Sequence, residues 1–569
     1  MRIPVLGRPT APLTSIVLPF VLSTLLTVGS LSLEAGSVLA DPTPPILWTD
    51  QWNGPGNHDD FPNVIGTDPF GGFYVGGSTY ENGVGANRED YFLNRYAVDG
   101  TIEWTRILGE TGYDDLTAMI TGPGWVTVTG ITTTDNTFEV TTLSYDDAGN
   151  LLWEDRFPIS GTFWREFTPR MVQDADGNFL ISAHSAGDYL VLKYDSDGTL
   201  LWSQSYDGPA GGDDFASDIA VDAAGNVFVA GIVPTSAQFG SAIGTIKLDA
   251  NGVFQWEQFE SGDIGSVFLY AGVRVGPDGH PVVTGNPESV CGVFELRVWK
   301  CDSATGAPLW VESYPPEPCH SMEPIGMTMD GDGNALVTSF GHEVPFETHF
   351  HTFKYAPDGT LLWHRLFDGA GTSEDIPRAL TLDDAGNLYV AGLTNFPPQN
   401  RDYAAVKYSP DGDELWTLHW PDPQGTNAWI TAVAVTSAGD VIFSGQVYDS
   451  AHQEDAVTLY LRQQDPAAVS PFGSGAVPGP GLEVSQNPFV TGTNLRFELG
   501  SATVVSLGVH DASGRIVRRL TDGAMAAGAH EVAWDGAADG GGSLASGVYF
   551  VRLVAEGEGT STIAVRLVH

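Results

Sequence analysis

Trp104, Trp153, Trp202, Trp256, Trp310, Trp363 and Trp416 recur at intervals of 49–54 residues, each ending a short run such as "GTLLW" or "GVFQW". Such a period confines the chain to a repeat architecture, in which one supersecondary unit is copied and stacked. Two segments make up the unit. The first is typified by "IAVDAAGNVFVAG" (Ile219–Gly231) and returns as "LTLDDAGNLYVAG". The second is "VLKYDSDGTLLW", repeated as "TIKLDANGVFQW", "TFKYAPDGTLLW" and "AVKYSPDGDELW". Each segment reads as two strands around a tight turn, because Asp, Asn and Gly supply the positive backbone angles that short hairpins need. The unit therefore has four strands, here called a to d. Strand b is apolar at nearly every position, as a strand covered on both faces must be.

Four antiparallel strands per unit of this length are the signature of a β-propeller blade. An eighth tryptophan strand, "ILWTDQW", lies near the N-terminus, with Trp48 56 residues before Trp104. The last unit, "AVAVTSAGDVIFSG" plus "AVTLYL", has strands a to c without a tryptophan strand of its own. The N-terminal strand is expected to complete it, closing a ring of eight blades and removing the exposed edges of an open stack. The expected fold class is all-β: an eight-bladed β-propeller over residues 41–462, then a small Ig-like β-sandwich over 482–569.

The "QQDPAAVSPFGSGAVPGPG" stretch marks a linker over 463–481. At the other end, Arg2 and Arg8 precede an apolar run from Ile16 to Val28 and the small-residue stretch "SVLA". This is the pattern of a secretory signal peptide over residues 1–40, cut after Ala40 and leaving no transmembrane anchor.

The formal net charge is −46, from 71 acidic against 25 basic residues. That balance argues against a phosphate-binding surface and so against nucleic acid as a partner. Cys291, Cys301 and Cys319 all fall in one repeat. In an oxidising compartment they allow one disulfide and leave one thiol over, with the pairing open.

All five lysines, Lys193, Lys247, Lys300, Lys354 and Lys407, occupy one place on strand c, with Arg95 equivalent in the first repeat. One contact per blade is implied. The expected partners are the acids just before strand a: Asp60, Glu166, Asp214 and Asp375, with Asp115 and Glu323 slightly off register. The alternative is that these acids ring the channel mouth and hold a cation, calcium being the possible one; no cofactor is firmly implied. The "DADGN" and "DGDGN" turns at Asp174 and Asp330 lack the downstream acid of a calcium loop and read as hairpin turns. In "GHEVPFETHFH", His349 and His351 alternate on a strand and are metal-ligand candidates beside His342. No catalytic motif is present, so no catalytic residue is assigned.

The a–b segments resemble the SBBP-type β-propeller repeat, and the d strands resemble the tryptophan-docking repeat of quinoprotein propellers, "KCDSATGAPLW" (Lys300–Trp310) most closely. The C-terminal segment resembles the type A sorting domain of the type IX secretion system, which is similar to the Ig-like domain of the flagellar hook-capping family. Asn487, Pro488 and Phe489 match its entry motif, Trp534 to Gly536 its central turn, and Gly547 and Tyr549 its "SGVY" strand. Gln486 departs from it. The resemblance implies a type IX-like secretion machinery as partner, passage through the periplasm of a bacterium with an outer membrane, and a secreted or surface-attached product.

The b–c connections are long and varied, and loops that vary on a rigid scaffold are where binding resides. Tyr80, Phe346, Phe396 and Tyr448 lie there and are ligand-binding candidates. The reading is a propeller that binds an extracellular ligand, polysaccharide or protein. An extracellular hydrolase or lyase, a quinoprotein-type dehydrogenase and a passive structural surface protein stand as alternatives.

Overall fold

The repeat's turn explains how each sheet begins. Asp222 accepts backbone N–H bonds from Ala224 (2.9 Å) and Asn226 (2.8 Å) on one carboxylate oxygen, while the Asn226 amide donates to the other at 2.7 Å. Gly225, with φ of 80°, supplies the left-handed step. Asp174 and Asp330 make the same turn, each accepting from the amide two and four residues on. Both are hairpin turns.

In the computed structural model, these hairpins assemble into eight four-stranded antiparallel sheets among the described residues. Described are residues 43–567, apart from the 464–481 linker and shorter stretches, chiefly 81–88, 162–167, 235–240, 262–269, 288–293, 315–320, 485–488 and 511–515. The proposed signal peptide, Glu166, Phe346, Cys291, Cys319, Asn487 and Pro488 lie outside them. Among the described residues no helix is long and apolar enough to cross a membrane.

The innermost strands a are Asp60–Thr67, Asp115–Gly122, Arg170–Gln173, Phe215–Val221, Ala271–Val275, Met322–Met329, Asp375–Leu382 and Ala428–Val435. They define sheets 1 to 8 in chain order. In sheet 8 the outer strand is Ile46–Trp52, which pairs antiparallel with Glu454–Leu461. The two ends of the repeat region therefore share one sheet. Trp48 stacks on Tyr460 of sheet 8 and on Phe73 of sheet 1, at 5.3 and 5.9 Å between ring centroids. Phe73, Phe92 and Tyr96 of sheet 1 are buried against Ile442 and Tyr460 of sheet 8.

Between neighbouring sheets the strand d tryptophan lies over the glycine of the next c–d turn and donates its indole N–H to a carbonyl there. Trp104 reaches Asp147 (2.9 Å), Trp202 reaches Ala250 (3.2 Å), Trp256 reaches Ser303 (3.0 Å) and Trp363 reaches Pro410 (3.0 Å). A side chain on that turn glycine would collide with the indole: a Cβ on Gly252 would sit 2.8 Å from Trp202. The strand c cation donates to the same carbonyl, Lys247 to Ser303 at 2.7 Å and Lys354 to Pro410 at 3.0 Å.

The acid that balances this cation corrects the sequence reading. Lys193 pairs with Asp174 (2.9 Å), Lys300 with Asp278 (2.6 Å), Lys354 with Asp330 (2.9 Å), Lys407 with Asp383 (3.7 Å) and Arg95 with Asp68 (2.7 Å). All five partners belong to a–b turns. Asp60, Asp214 and Asp375 stand at the opposite end of strand a, about 20–25 Å away at roughly 3.3 Å per residue. No lysine reaches them.

The C-terminal segment forms two further sheets. One contains Glu483–Val484, Thr493–Leu499 and Gly528–Trp534; the other contains Ile516–Met525, Thr503–His510, Gly547–Ala555 and Gly559–Leu567. Phe489 and Tyr549 pack edge-on against Trp534, at 5.1 and 5.6 Å, inside a core that includes Leu495, Val551 and Leu567.

Candidate functional site

A channel of about 690 Å³ is bordered by the innermost strand of all eight sheets. Its upper wall arises from a local irregularity in strand a. The a–b ladder skips one residue at Asn63, Thr117, Ser217, Ile325, Arg378 and Thr431, leaving an extra residue unpaired on the inner strand. A bulge of this kind bends the strand and re-aims a side chain. Here each bulge residue lines the channel, as does Arg170, which follows Pro169 as Arg378 follows Pro377. The "VAG" glycine of strand b makes room for it: a Cβ on Gly231 would lie 2.1 Å from the Phe215 carbonyl oxygen, and one on Gly392 2.0 Å from that of Ile376.

Around part of the ring these residues tie one sheet to the next. Thr431 donates to the Pro62 carbonyl (2.5 Å), Asn63 to Leu116 (3.0 Å) and Thr117 to Pro169 (2.9 Å). Beyond that point the belt stops. Arg170 and Arg378 make no hydrogen bond or ion pair among the described residues, and the buried Ser217 hydroxyl finds no partner there either. A third cation, Arg274, is clamped to Asp218 at 2.5 Å and donates to the Val273 carbonyl at 2.6 Å. Desolvation in the channel wall and the neighbouring Arg401 hold the Arg378 guanidinium below its ordinary pKa. Tyr270, on the same wall, is pushed up to about 12 by burial and by Asp218. The described lining thus carries three arginines against one carboxylate, in a chain whose net charge is −46. The cavity is of small-ligand size and its described lining carries an excess of positive charge.

The acids before strand a do not line this cavity. Asp60 is fully buried and accepts from the Gly54 amide (2.7 Å) and the Thr79 hydroxyl (2.5 Å). Asp214 is likewise buried and accepts from the Gly208 amide at 2.6 Å, and Asp375 from Gly369 at 2.7 Å. Each carboxylate fastens a d–a loop. Burial is the main cause that lifts their pKa values, to about 7 for Asp60 and about 6 for Asp214, with nearby carboxylates adding to it; Asp375 is raised as well. Asp115 is half-buried and accepts from Asn63 at 2.6 Å; burial raises Glu323.

The loop aromatics end b strands. Tyr80 donates to Glu89 across its own hairpin and meets Phe61 edge-on at 6.0 Å. Tyr448 bonds Glu454 in the same way, packs on Trp429 at 5.6 Å and is raised to about 12, chiefly by that carboxylate. Phe396 ends the strand Leu388–Phe396, with its side chain outside the described residues. His349 and His351 part company. His351 stacks on His364, Nδ1 to Nε2 3.1 Å, and burial depresses it to about 3. His349 instead faces Asp368 and Asp375. Cys301 is a free buried thiol, pushed up to about 12 by burial.

The sequence reading missed the channel arginines. Their signal is the Pro-Arg pair at one repeat position in "TPRMV" and "IPRAL", which apolar patterning alone does not single out.

The fold defines a β-propeller protein with a C-terminal Ig-like module. The Ig-like domain of the FlgD family matches residues 485–559, and the β-propeller repeat family SBBP matches residues 362–397. Among curated proteins nothing matches the chain. Solved structures it is similar to include the quinohemoprotein alcohol dehydrogenase of Comamonas testosteroni (11% identity, 74% of this chain and 77% of that one, TM-score 0.42). The periplasmic gluconolactonase of Pseudomonas aeruginosa shares 15% identity over 63% of this chain and 95% of its own, with a TM-score of 0.38. BamB of Moraxella catarrhalis shares 12% over 58% and 96%, with a TM-score of 0.30. At these identities and scores, none of the three bears on what this chain binds.

Proposed function

We propose that this chain is an exported binding protein whose propeller channel receives an anionic group of an extracellular ligand, an acidic saccharide being the class that best suits the cavity. The observation that carries this reading is the pair of arginines, Arg170 and Arg378, each following a proline on strand a in the channel wall of a strongly acidic protein and each without an ion pair among the described residues. Guanidinium groups present planar, paired donors that suit carboxylates and sulfates, and the cavity volume of about 690 Å³ accommodates one or two sugar rings. The unpartnered Ser217 hydroxyl adds a neutral donor on the same wall. The signal-peptide pattern and the C-terminal sorting-domain resemblance support export, with secretion or attachment at the outer surface as the destination.

Titration calorimetry of the mature chain with a sodium oligogalacturonate of two to three sugars tests it, with the uncharged galactose oligomer as reference. The acidic oligomer binds saturably, and Arg170→Gln with Arg378→Gln weakens it at least tenfold. Equal binding of the two oligomers, or equal binding by the double variant, overturns the assignment.

A further inference from the structure

On the face where the d–a loops run, the same three positions meet at two seams between sheets: a residue near the start of strand c, the residue just after strand d, and the acid at the start of the next strand a. At the seam of sheets 3 and 4 they are Asp188, Asp207 and Asp214; at the seam of sheets 6 and 7 they are His349, Asp368 and Asp375. The equivalence follows from register. Asp188 precedes Tyr189, which pairs with Tyr206, and His349 precedes Phe350, which pairs with Phe367. In each set one donor atom per residue lies within 4.8 Å of the others.

Both seams hold a buried donor with no hydrogen-bond partner among the described residues. His349 is 7% exposed, and its Nδ1 lies 3.7 Å from Asp368 Oδ1 and 3.8 Å from Asp375 Oδ2. Those separations are too long for hydrogen bonds. They suit atoms that share one metal ion at about 2.0–2.2 Å from each. Asp375 is held in place by the Gly369 amide, while Asp368 is 57% exposed and leaves an entry path and room for water ligands. At the other seam, Asp214 is fully buried with Oδ1 unpartnered, its Oδ2 fixed by the Gly208 amide. Three carboxylates crowded there repel one another unless a cation joins them.

We infer that these two seams are divalent-cation sites. The imidazole and two carboxylates of His349, Asp368 and Asp375 select a zinc- or manganese-type ion, and the all-oxygen set of Asp188, Asp207 and Asp214 selects calcium. Each ion bridges two adjacent sheets and would pin the loops that open onto the binding face.

The test uses the full mature chain, stripped with a chelator and titrated separately with MnCl2, ZnCl2 and CaCl2 by calorimetry, with melting curves alongside. One manganese or zinc ion binds per chain and raises the melting temperature. His349→Ala abolishes that event while leaving the metal-free melting curve close to that of the parent. Asp368→Asn, at an exposed position, weakens it at least tenfold. Calcium binding is lost in Asp188→Asn and Asp207→Asn and kept in His349→Ala. Unchanged manganese and zinc stoichiometry in both His349→Ala and Asp368→Asn, or no binding by the parent chain, overturns the first site; calcium binding unaffected by Asp188→Asn and Asp207→Asn overturns the second.

Discussion

The two ends of the propeller strands solve the same problem, burial of charge between sheets, in opposite ways. At the a–b and c–d turns, Lys193 is balanced by Asp174, Lys354 by Asp330 and Arg95 by Asp68, and these cations and the neighbouring indoles share the next sheet's turn carbonyls. At the d–a loops, Asp60, Asp214 and Asp375 are as deeply buried, yet among the described residues no cation meets the first two, and His349 stands off the third at 3.8 Å. One end pairs most of its strand c cations with turn aspartates across the turns. The other end holds buried carboxylates satisfied by hydrogen bonds, and channel arginines with no ion pair among the described residues. The second arrangement holds the d–a loops through the Gly54, Gly208 and Gly369 amides but leaves its buried carboxylates without a lysine or arginine partner.

Breaking the paired end has the largest expected effect. Lys193→Ala removes the partner of an Asp174 side chain that is 3% exposed. The loss is about 3–5 kcal/mol of unfolding free energy, because a buried charge is stranded; a drop below 1 kcal/mol in denaturant unfolding would show that the turn amides alone sustain Asp174.

A smaller effect sharpens the comparison within the paired end itself. Trp363 donates to Pro410, whereas the Trp416 indole N–H has no partner among the described residues, since strand c of sheet 8 ends at Leu461 and is followed by no strand d of its own. Gln463 takes over the lysine contact, accepting from Lys407 at 2.6 Å, but not the indole. Trp363→Phe should therefore cost about 1 kcal/mol more than Trp416→Phe in matched unfolding curves. Equal losses would mean that the tryptophans act by packing alone.

Most of the scaffold is legible in the sequence for physical reasons. Turn residues declare themselves through the backbone angles they permit, the tryptophan period reports the sheet spacing, and the missing last strand d forces the N-terminal "ILWTDQW" to close the ring. The lysine partners were misassigned because linear proximity to strand a was read as spatial proximity, when the strand carries those acids to its far end. The turn aspartates already had a visible job in the hairpin, which hid their second one. The channel was illegible because a β-bulge leaves no mark on hydrophobic alternation, so Arg170 and Arg378 read as ordinary polar positions. His349 and His351 looked equivalent from their alternation, and only the approach of His364 to one and of Asp368 and Asp375 to the other separates them.

The central claim is that the d–a face buries acids at a cost to the fold, and stability against pH tests it most directly. Burial pushes the Asp60 carboxyl up to about 7 and that of Asp214 up to about 6, against about 3.9 when unfolded. Between those limits the folded state binds more protons than the unfolded one, so unfolding free energy falls as pH rises from about 4 to about 7 and then levels. Chelator-treated protein should show this fall in denaturant unfolding, and Asp60→Asn with Asp214→Asn should remove most of it, making the variant more stable than the parent at pH 8. Asp332→Asn with Asp384→Asn, two exposed acids, is the charge-matched control and should leave the fall in place. If the two double variants shift the profile equally, general charge repulsion accounts for it, and the claim that the d–a face buries acids at a cost to the fold is wrong.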